Sequence, residues 1–332
     1  MTKKPLAISL GDPAGIGAEA TIRALDNLSR SLPVWLFGHW DYALNGAGSG
    51  AIGFDMPRYA SFDDAAAAGV SRAFIEVASG GGALEIGKVR EEYGRVALLS
   101  IEAAADAVVA GHCSALVTAP IHKQALLAAG SRFAGHTELL ADRAGLARYG
   151  RDYAMMFDSP SLRVVLATVH VALKDVAGLV NAELVADVCR LTRREVSWLI
   201  GREPKIAVAG LNPHAGEGGA FGGEESEIAR GIELARADGC EVTGPSPADT
   251  LFWEAAKGRH DVVVAMYHDQ GLTPVKTLHF DSSVNVTLGL PYLRVSVDHG
   301  TAFDIAGKGM ADWRPMKYAI EWAIRHAERL PA

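Results

Sequence analysis

The chain has 332 residues, 49% of them hydrophobic and 21% charged, and its 32 basic against 39 acidic residues give a formal net charge of -7. That balance argues against a nucleic-acid or anionic-membrane surface, and no run reaches the roughly 18 apolar residues that a spanning helix needs. The length exceeds what one hydrophobic core usually supports, so two lobes with a cleft between them are expected.

The opening MTKKPLAISLGDP holds only a strand-length apolar run, does not read as a signal peptide, and so points to the cytoplasm. Cys113, Cys189 and Cys240 lie far apart, which fits reduced thiols and gives no metal or redox motif. Residues 6–10 read as a strand, GDPAGIGAE from Gly11 to Glu19 as a glycine turn, and residues 20–28 as a helix. Such a unit either cradles a phosphate or simply turns the chain; the spacing is not G-x-G-x-x-G. A second strand is expected at 34–38. Residues 45–82, with glycine-rich ends at 45–53 and 79–82, read as flexible loop.

A helix is expected over 93–110 and a buried strand over 115–118, after which Lys123 opens the next helical run. Lys123 beside a strand end either approaches an anion or is a solvated lysine. His136 and Thr137 precede the helical run 139–147, where the helix dipole and two side-chain donors suit an anion, although Thr137 alone could be an N-cap. Strands follow at 155–157 and 163–169, a long amphipathic helix at 182–200, a strand at 206–209 and a helix at 224–237. The rigid turn GPSPADT carries Asp249. Residues 262–266 form a β-branched run of the kind that makes a buried parallel strand, and a helix over about 312–329 closes the chain.

Three of these strands are followed by His170, His214 and His268. If the strands are neighbours, the imidazoles meet at one sheet edge and can hold a divalent metal with a coordination position open to a substrate oxygen. Each alone is as readily a packed core histidine. Lys276, Asn285 and Arg294 lie in the same stretch, and with His136 and Thr137 they suit a small substrate bearing phosphate and carboxylate.

The run from Asp298 to Gly309, DHGTAFDIAGKG, resembles the dinucleotide-binding loop of the isopropylmalate and isocitrate dehydrogenases, and GDPAGIGAE resembles their first glycine turn. With TAPIHK, GHTELLA, GLNPHAGEGGAFG, GPSPADT, MYHDQG and VNVTLGLP, the chain is identified as similar to the 4-hydroxythreonine-4-phosphate dehydrogenase family of vitamin B6 synthesis. The resemblance covers nearly the whole length and is weakest across residues 45–90. It implies an α/β fold of two lobes with a cleft, not a Rossmann fold. Residues 1–130 plus 290–332 would form the dinucleotide-binding lobe, and residues 131–289 the substrate, metal and dimerisation lobe.

The resemblance further implies that His170, His214 and His268 hold one divalent ion per subunit (zinc, magnesium or cobalt). His136, Thr137, Lys276, Asn285 and Arg294 would bind substrate. His299, Gly300, Thr301, Ala302 and Asp304 would contact NAD or NADP. It implies a homodimer with the active site at the interface, and metal-dependent oxidation of 4-phosphooxy-L-threonine to a β-keto acid that loses carbon dioxide to give 3-amino-2-oxopropyl phosphate. Asp249 and Lys123 are the expected proton-transfer groups. One departure bears on the substrate: the family typically has Thr-His-Leu-Pro-Leu where this chain has Val169-His170-Val171-Ala172-Leu173. A branch acting on 4-phospho-D-erythronate or 4-phospho-D-threonate tends to carry Ala-Leu there, whereas Gly218 and Leu272 look more like the vitamin B6 branch. A metal-dependent hydrolase could use the same histidines, but would not need the HGTAFDIAGKG loop.

Overall fold

A computed structural model describes residues 4–47 and 56–327. The chain divides into two compact units, the first formed by Met1–Ala144 with Pro291–Glu328 and the second by Gly145–Leu290. The helix that begins at His136 belongs to unit 1, and the chain returns to that unit at Pro291.

Unit 1 contains β1 (Leu6–Ser9), α1 (Gly17–Asp26), β2 (Val34–Gly38), α2 (Trp40–Gly46), β3 (Arg58–Tyr59), α3 (Phe62–Ala67), β4 (Arg72–Glu76), α4 (Glu91–Val109), β5 (Leu116–Thr118), α5 (Lys123–Ala128) and α6 (His136–Arg143). The chain returns to it for β12 (Arg294–Ser296) and α12 (Arg314–His326). Its strands run β3-β4-β2-β1-β5-β12, every pairing parallel. Strands of this kind are covered by helices on both faces, which is why β1 and β2 are buried at every position. The strand order reverses between β1 and β5, the kind of place where open α/β sheets bind ligands.

Most of the stretch expected as loop is ordered structure. β3, α3 and β4 occupy residues 58–76, and Ala73, Phe74 and Ile75 are buried. RAFIE is too short to show a period, and its strand character comes from pairing with β2 through Ala73 and Phe74. The glycine-rich tract at 45–53 falls largely outside the described residues. Gly80 and Gly81, from the second glycine tract, both have positive φ.

Unit 2 contains β6 (Ala154–Asp158), β7 (Arg163–Leu166), α7 (Leu173–Leu179), α8 (Ala182–Ile200), β8 (Ile206–Ala209), a tight turn (Pro213–Gly219), α9 (Glu224–Ala237), β9 (Val242–Ser246), α10 (Ala248–Ala256), β10 (Val262–Ala265), α11 (His268–His279) and β11 (Val284–Leu288). Its strand order is β11-β6-β7-β10-β8-β9. The pairings that involve β6 are antiparallel and those from β7 to β9 are parallel. Helix α8 starts on Asn181, whose side chain accepts from the Leu184 amide, and stops at Gly201 in the left-handed conformation. A core of Phe157, Val164, Leu166, Ala207, Leu251, Val263 and Val275 lies beneath the sheet face that α10 and α11 cover. Among the described residues no helix is long and apolar enough to cross a membrane.

Candidate active site

β7, β10 and β8 are consecutive parallel strands, with Val263 in register with both Val164 and Ala207. Their carboxyl ends therefore lie along one edge, and the chain leaves each end toward a histidine: His170, His268 and His214. Hydrogen bonds tie these ends together. The Thr168 hydroxyl donates to the Met266 carbonyl at 2.7 Å, and the Ala167 amide to Ala265 at 2.8 Å. On the other side the Gln270 amide bridges two strands: its oxygen accepts from the Met266 N–H and its nitrogen donates to the Gly210 carbonyl, each at 2.7 Å.

The rings of His170 and His268 lie 5.6 Å apart, centre to centre, and are inclined at 40°. His268 opens α11, and its Nδ1 lies 2.7 Å from the Asp269 carboxylate, so Nε2 is the nitrogen left for a ligand. His214 lies in a run of left-handed backbone, with φ 53° at His214, 51° at Ala215, 78° at Gly216, 43° at Glu217 and 66° at Gly218. Each non-glycine residue there costs about 1–2 kcal/mol, so the turn must be held from outside. Among the described residues no group of three or more His, Cys, Asp or Glu is assembled closely enough to hold a metal. The expected three-histidine centre is thus not pre-closed. The donor set nevertheless fits a borderline divalent cation, and the 5.6 Å ring separation can be spanned by one ion with metal–nitrogen bonds of about 2.0–2.1 Å.

In unit 1, His136 and Thr137 form the first turn of α6, whose N-cap Gly135 offers no side chain to its free N–H groups. Thr137 is buried, and the His136 Nε2 is shielded without a hydrogen-bond partner. Burial, reinforced by the positive charge of Arg294, holds the His136 pKa well below the ordinary imidazole value, so the ring is neutral near pH 7. Arg294 is 1% exposed, and its Nη2 donates to the Thr118 hydroxyl at 2.7 Å. Burial lowers its pKa to about 10, against the pull of Tyr292 and Glu138, which leaves it cationic. A buried cation beside a neutral histidine and a helix N-terminus is chemistry for an anion. Lys276 on α11 and Asn285 on β11 are half-buried in unit 2, and the Asn285 Oδ1 is shielded without a hydrogen-bond partner. The residues expected to bind substrate thus come from both units.

The loop that begins at Asp298 leaves the carboxyl end of β12 and packs on the first glycine turn. The Thr301 carbonyl accepts from the Ile16 N–H at 3.0 Å, and a Cβ on Gly15 would lie 2.9 Å from the Thr301 side chain. Phe303 joins the apolar cluster of Ala14, Tyr42, Tyr93 and Val96 and stacks on His122 at 5.0 Å. Ala302 has φ 42°, Asp304 is exposed, and the His299 Nδ1 lies 3.0 Å from the Gly300 carbonyl. The two motifs that resemble dinucleotide-binding segments, though far apart in sequence, are therefore one surface. Asp12 is fully buried beside it: one carboxylate oxygen accepts from the Ala14 amide, and burial pushes the pKa up to about 6.

Lys123, the first residue of α5, and Asp249, in the first turn of α10, are both exposed. Asp249 shares a groove of about 520 Å³ with Asp269 and Gln270. Thr118, Thr168, Gln270 and Asp12 were not picked out from sequence. Their roles rest on hydrogen bonds across strands and on burial, which linear spacing does not display, although Gln270 sits inside the MYHDQG motif.

Residues 43–323 match the family described as pyridoxal phosphate biosynthetic protein PdxA. A relative from Desulfosudis oleivorans named 4-hydroxythreonine-4-phosphate dehydrogenase is 45% identical over 98% of this chain and 97% of its own. A provisionally named D-threonate 4-phosphate dehydrogenase from Bradyrhizobium diazoefficiens is 41% identical over 100% and 98%. The crystal structure of 4-hydroxythreonine-4-phosphate dehydrogenase from Klebsiella pneumoniae superposes with a TM-score of 0.84, at 37% identity, covering 98% of this chain and 100% of that one. With matches of this extent in sequence and in fold, the chain belongs to the PdxA family of pyridoxal phosphate biosynthetic proteins.

Proposed function

We propose that the protein is an oxidoreductase that removes the C3 hydrogen of 4-phosphooxy-L-threonine as hydride, with NAD or NADP as acceptor, in the synthesis of pyridoxal 5'-phosphate. The observation that supports this reading is that the three strands that His170, His268 and His214 follow are adjacent and parallel, and that the rings of His170 and His268 lie 5.6 Å apart. These histidines would hold one divalent ion, zinc, magnesium or cobalt, which supplies Lewis-acid stabilisation of the substrate oxygen as its proton leaves.

The chain's own groups do the rest. Arg294, His136 and Thr137 offer a buried cation, a neutral imidazole and helix N–H groups to one anionic end of the substrate, and Lys276 and Asn285 offer a cation and an amide to another. The 298–309 loop, seated on the first glycine turn, offers His299, Gly300, Thr301, Ala302 and Asp304 to the dinucleotide. The dinucleotide held there would supply the acceptor for the C3 hydride, the hydroxyl proton would pass to a base, and the carbonyl formed would be β to the carboxylate. Loss of carbon dioxide from 2-amino-3-oxo-4-phosphooxybutanoate then gives 3-amino-2-oxopropyl phosphate. Asp249 and Lys123 are our candidates for the proton transfer. A homodimer with the site at its interface and a cytoplasmic location complete the reading; three buried, unbridged cysteines suit a reducing compartment.

A second reading keeps the chemistry and changes the substrate to 4-phospho-D-threonate or 4-phospho-D-erythronate. It is favoured by the 41% identical relative and by the Val171-Ala172-Leu173 segment after His170. Initial rates of dinucleotide reduction with the amino acid and the two sugar acids decide between them. The first reading requires the highest kcat/KM for 4-phosphooxy-L-threonine, with carbon dioxide released in step; a higher value for either sugar acid selects the second. Phosphate release without dinucleotide would instead indicate a hydrolase.

A further inference from the structure

Among the described residues of unit 2, positive φ at non-glycine positions occurs at His214, Ala215 and Glu217, all in one turn. Side chains with a Cβ resist this conformation, so a residue expected to bind metal sits on a backbone that would relax if left alone. The structure shows what holds it. Glu225, in the first turn of α9, turns its carboxylate into the loop: Oε1 accepts from the Leu211 N–H at 3.0 Å and from the Asn212 N–H at 2.7 Å, and Oε2 accepts from the Asn212 side chain at 3.0 Å. The turn closes around that carboxylate. A Cβ on Gly216 would lie 2.8 Å from the Glu225 Oε2, and one on Gly210 would lie 2.8 Å from the Ala215 Cα.

Resting on the metal reading above, we propose that Glu225 is a positioning residue for His214, holding the left-handed turn on which the imidazole is carried to a divalent cation. Glu225 does this as a hydrogen-bond acceptor for two backbone N–H groups, not as a negative charge that attracts the ion. Both N–H bonds end on the same oxygen, so a glutamine can keep them with its one amide oxygen. The charge and the clamp are therefore separable by a single substitution.

The test uses the full-length chain stripped of metal and titrated with zinc against a chromophoric chelator, with wild type, His214→Ala, Glu225→Ala, Glu225→Asp, Glu225→Gln and Gly216→Ala. Outer partners of metal ligands typically contribute about 10–100-fold in affinity, and that loss is expected for Glu225→Ala. Glu225→Gln keeps the two backbone bonds but puts an NH2 group where Oε2 accepts from the Asn212 side chain. It loses one bond of about 0.5–1.5 kcal/mol, so its affinity falls by less than that of Glu225→Ala, within about tenfold of wild type. Gly216→Ala is expected to weaken binding too, through strain at its φ of 78° as well as the Cβ placed 2.8 Å from the Glu225 Oε2. Glu225→Asp, whose shorter side chain withdraws the carboxylate from the Leu211 and Asn212 N–H groups, carries the test if Glu225→Ala does not fold. Amide exchange over residues 211–219 in the metal-free protein quickens more in Glu225→Ala than in Glu225→Gln. Wild-type zinc affinity in Glu225→Ala, or in Glu225→Asp if Glu225→Ala does not fold, overturns the proposal. So does a loss in Glu225→Gln as large as in Glu225→Ala, which would make the effect one of charge. Wild-type affinity in His214→Ala overturns the metal reading and this inference with it, a result distinct from failure at Glu225 alone.

Discussion

The side-chain amide of Gln270 reaches from the first turn of α11 to the Gly210 carbonyl at 2.7 Å, while its oxygen takes the Met266 N–H at the same distance. One residue thereby spans the ends of β10 and β8, from which His268 and His214 depart. The backbone segments that lead to these two expected ligands are thus tied by a neutral side chain through its bonds to Met266 and Gly210.

Replacing Gln270 with Ala is expected to weaken zinc binding by about 10–100-fold. Two hydrogen bonds are lost, each contributing about 0.5–1.5 kcal/mol, so the metal-free protein stays folded. Chelator competition beside thermal unfolding separates the two effects. Unchanged affinity with lowered stability would make Gln270 a structural tie alone.

Arg294→Lys keeps a positive charge but loses the planar fork and the bond to Thr118. Hydrogen bonds to charged groups contribute about 1.5–3 kcal/mol, so kcat/KM for the phosphorylated substrate should fall about 10- to 100-fold, mostly through KM. The KM for dinucleotide should move little. Equal damage to both KM values would place Arg294 in general support of unit 1 and not in substrate binding.

Asp12 makes a pH-dependent contribution to stability whose sign follows from its raised pKa. Burial pushes the native carboxyl up to about 6 from its ordinary 3.8, so between those values the native state binds more protons than the unfolded chain. Stability from this group is greatest below about pH 4 and falls as pH rises toward 6, reaching a penalty of about 2–3 kcal/mol above it. Asp12→Asn keeps the bond to the Ala14 amide and removes the titration. Its unfolding free energy relative to wild type should therefore climb from pH 4 to pH 7 and then level; a difference that stays flat across that range contradicts the assignment.

The parts of the molecule legible in the sequence are those whose environment repeats along the chain. β8 at Ile206–Ala209 and α8 at Ala182–Ile200 have the expected bounds, because a buried parallel strand is a continuous apolar run and a long helix repeats its apolar face. β4 escaped because Ala73, Phe74 and Ile75 acquire strand character from β2, whereas α6 was expected over 139–147 and lies at His136–Arg143, starting one turn earlier so that His136 and Thr137 are within it. At the site, the histidines were legible because each follows a strand. Thr168, Gln270 and Glu225 were not, since their partners Met266, Gly210 and Leu211 are backbone groups brought close by strand order or loop closure.

The most direct test of the account is dinucleotide reduction by metal-stripped protein with 4-phosphooxy-L-threonine, before and after a divalent ion is restored, in wild type and in His170→Ala, His214→Ala and His268→Ala. Stripped wild type should give no reduction, and activity should return on adding the ion. No histidine variant should recover at the same ion concentration. Full reduction by wild type with its metal removed, or recovery in all three variants, would contradict the account.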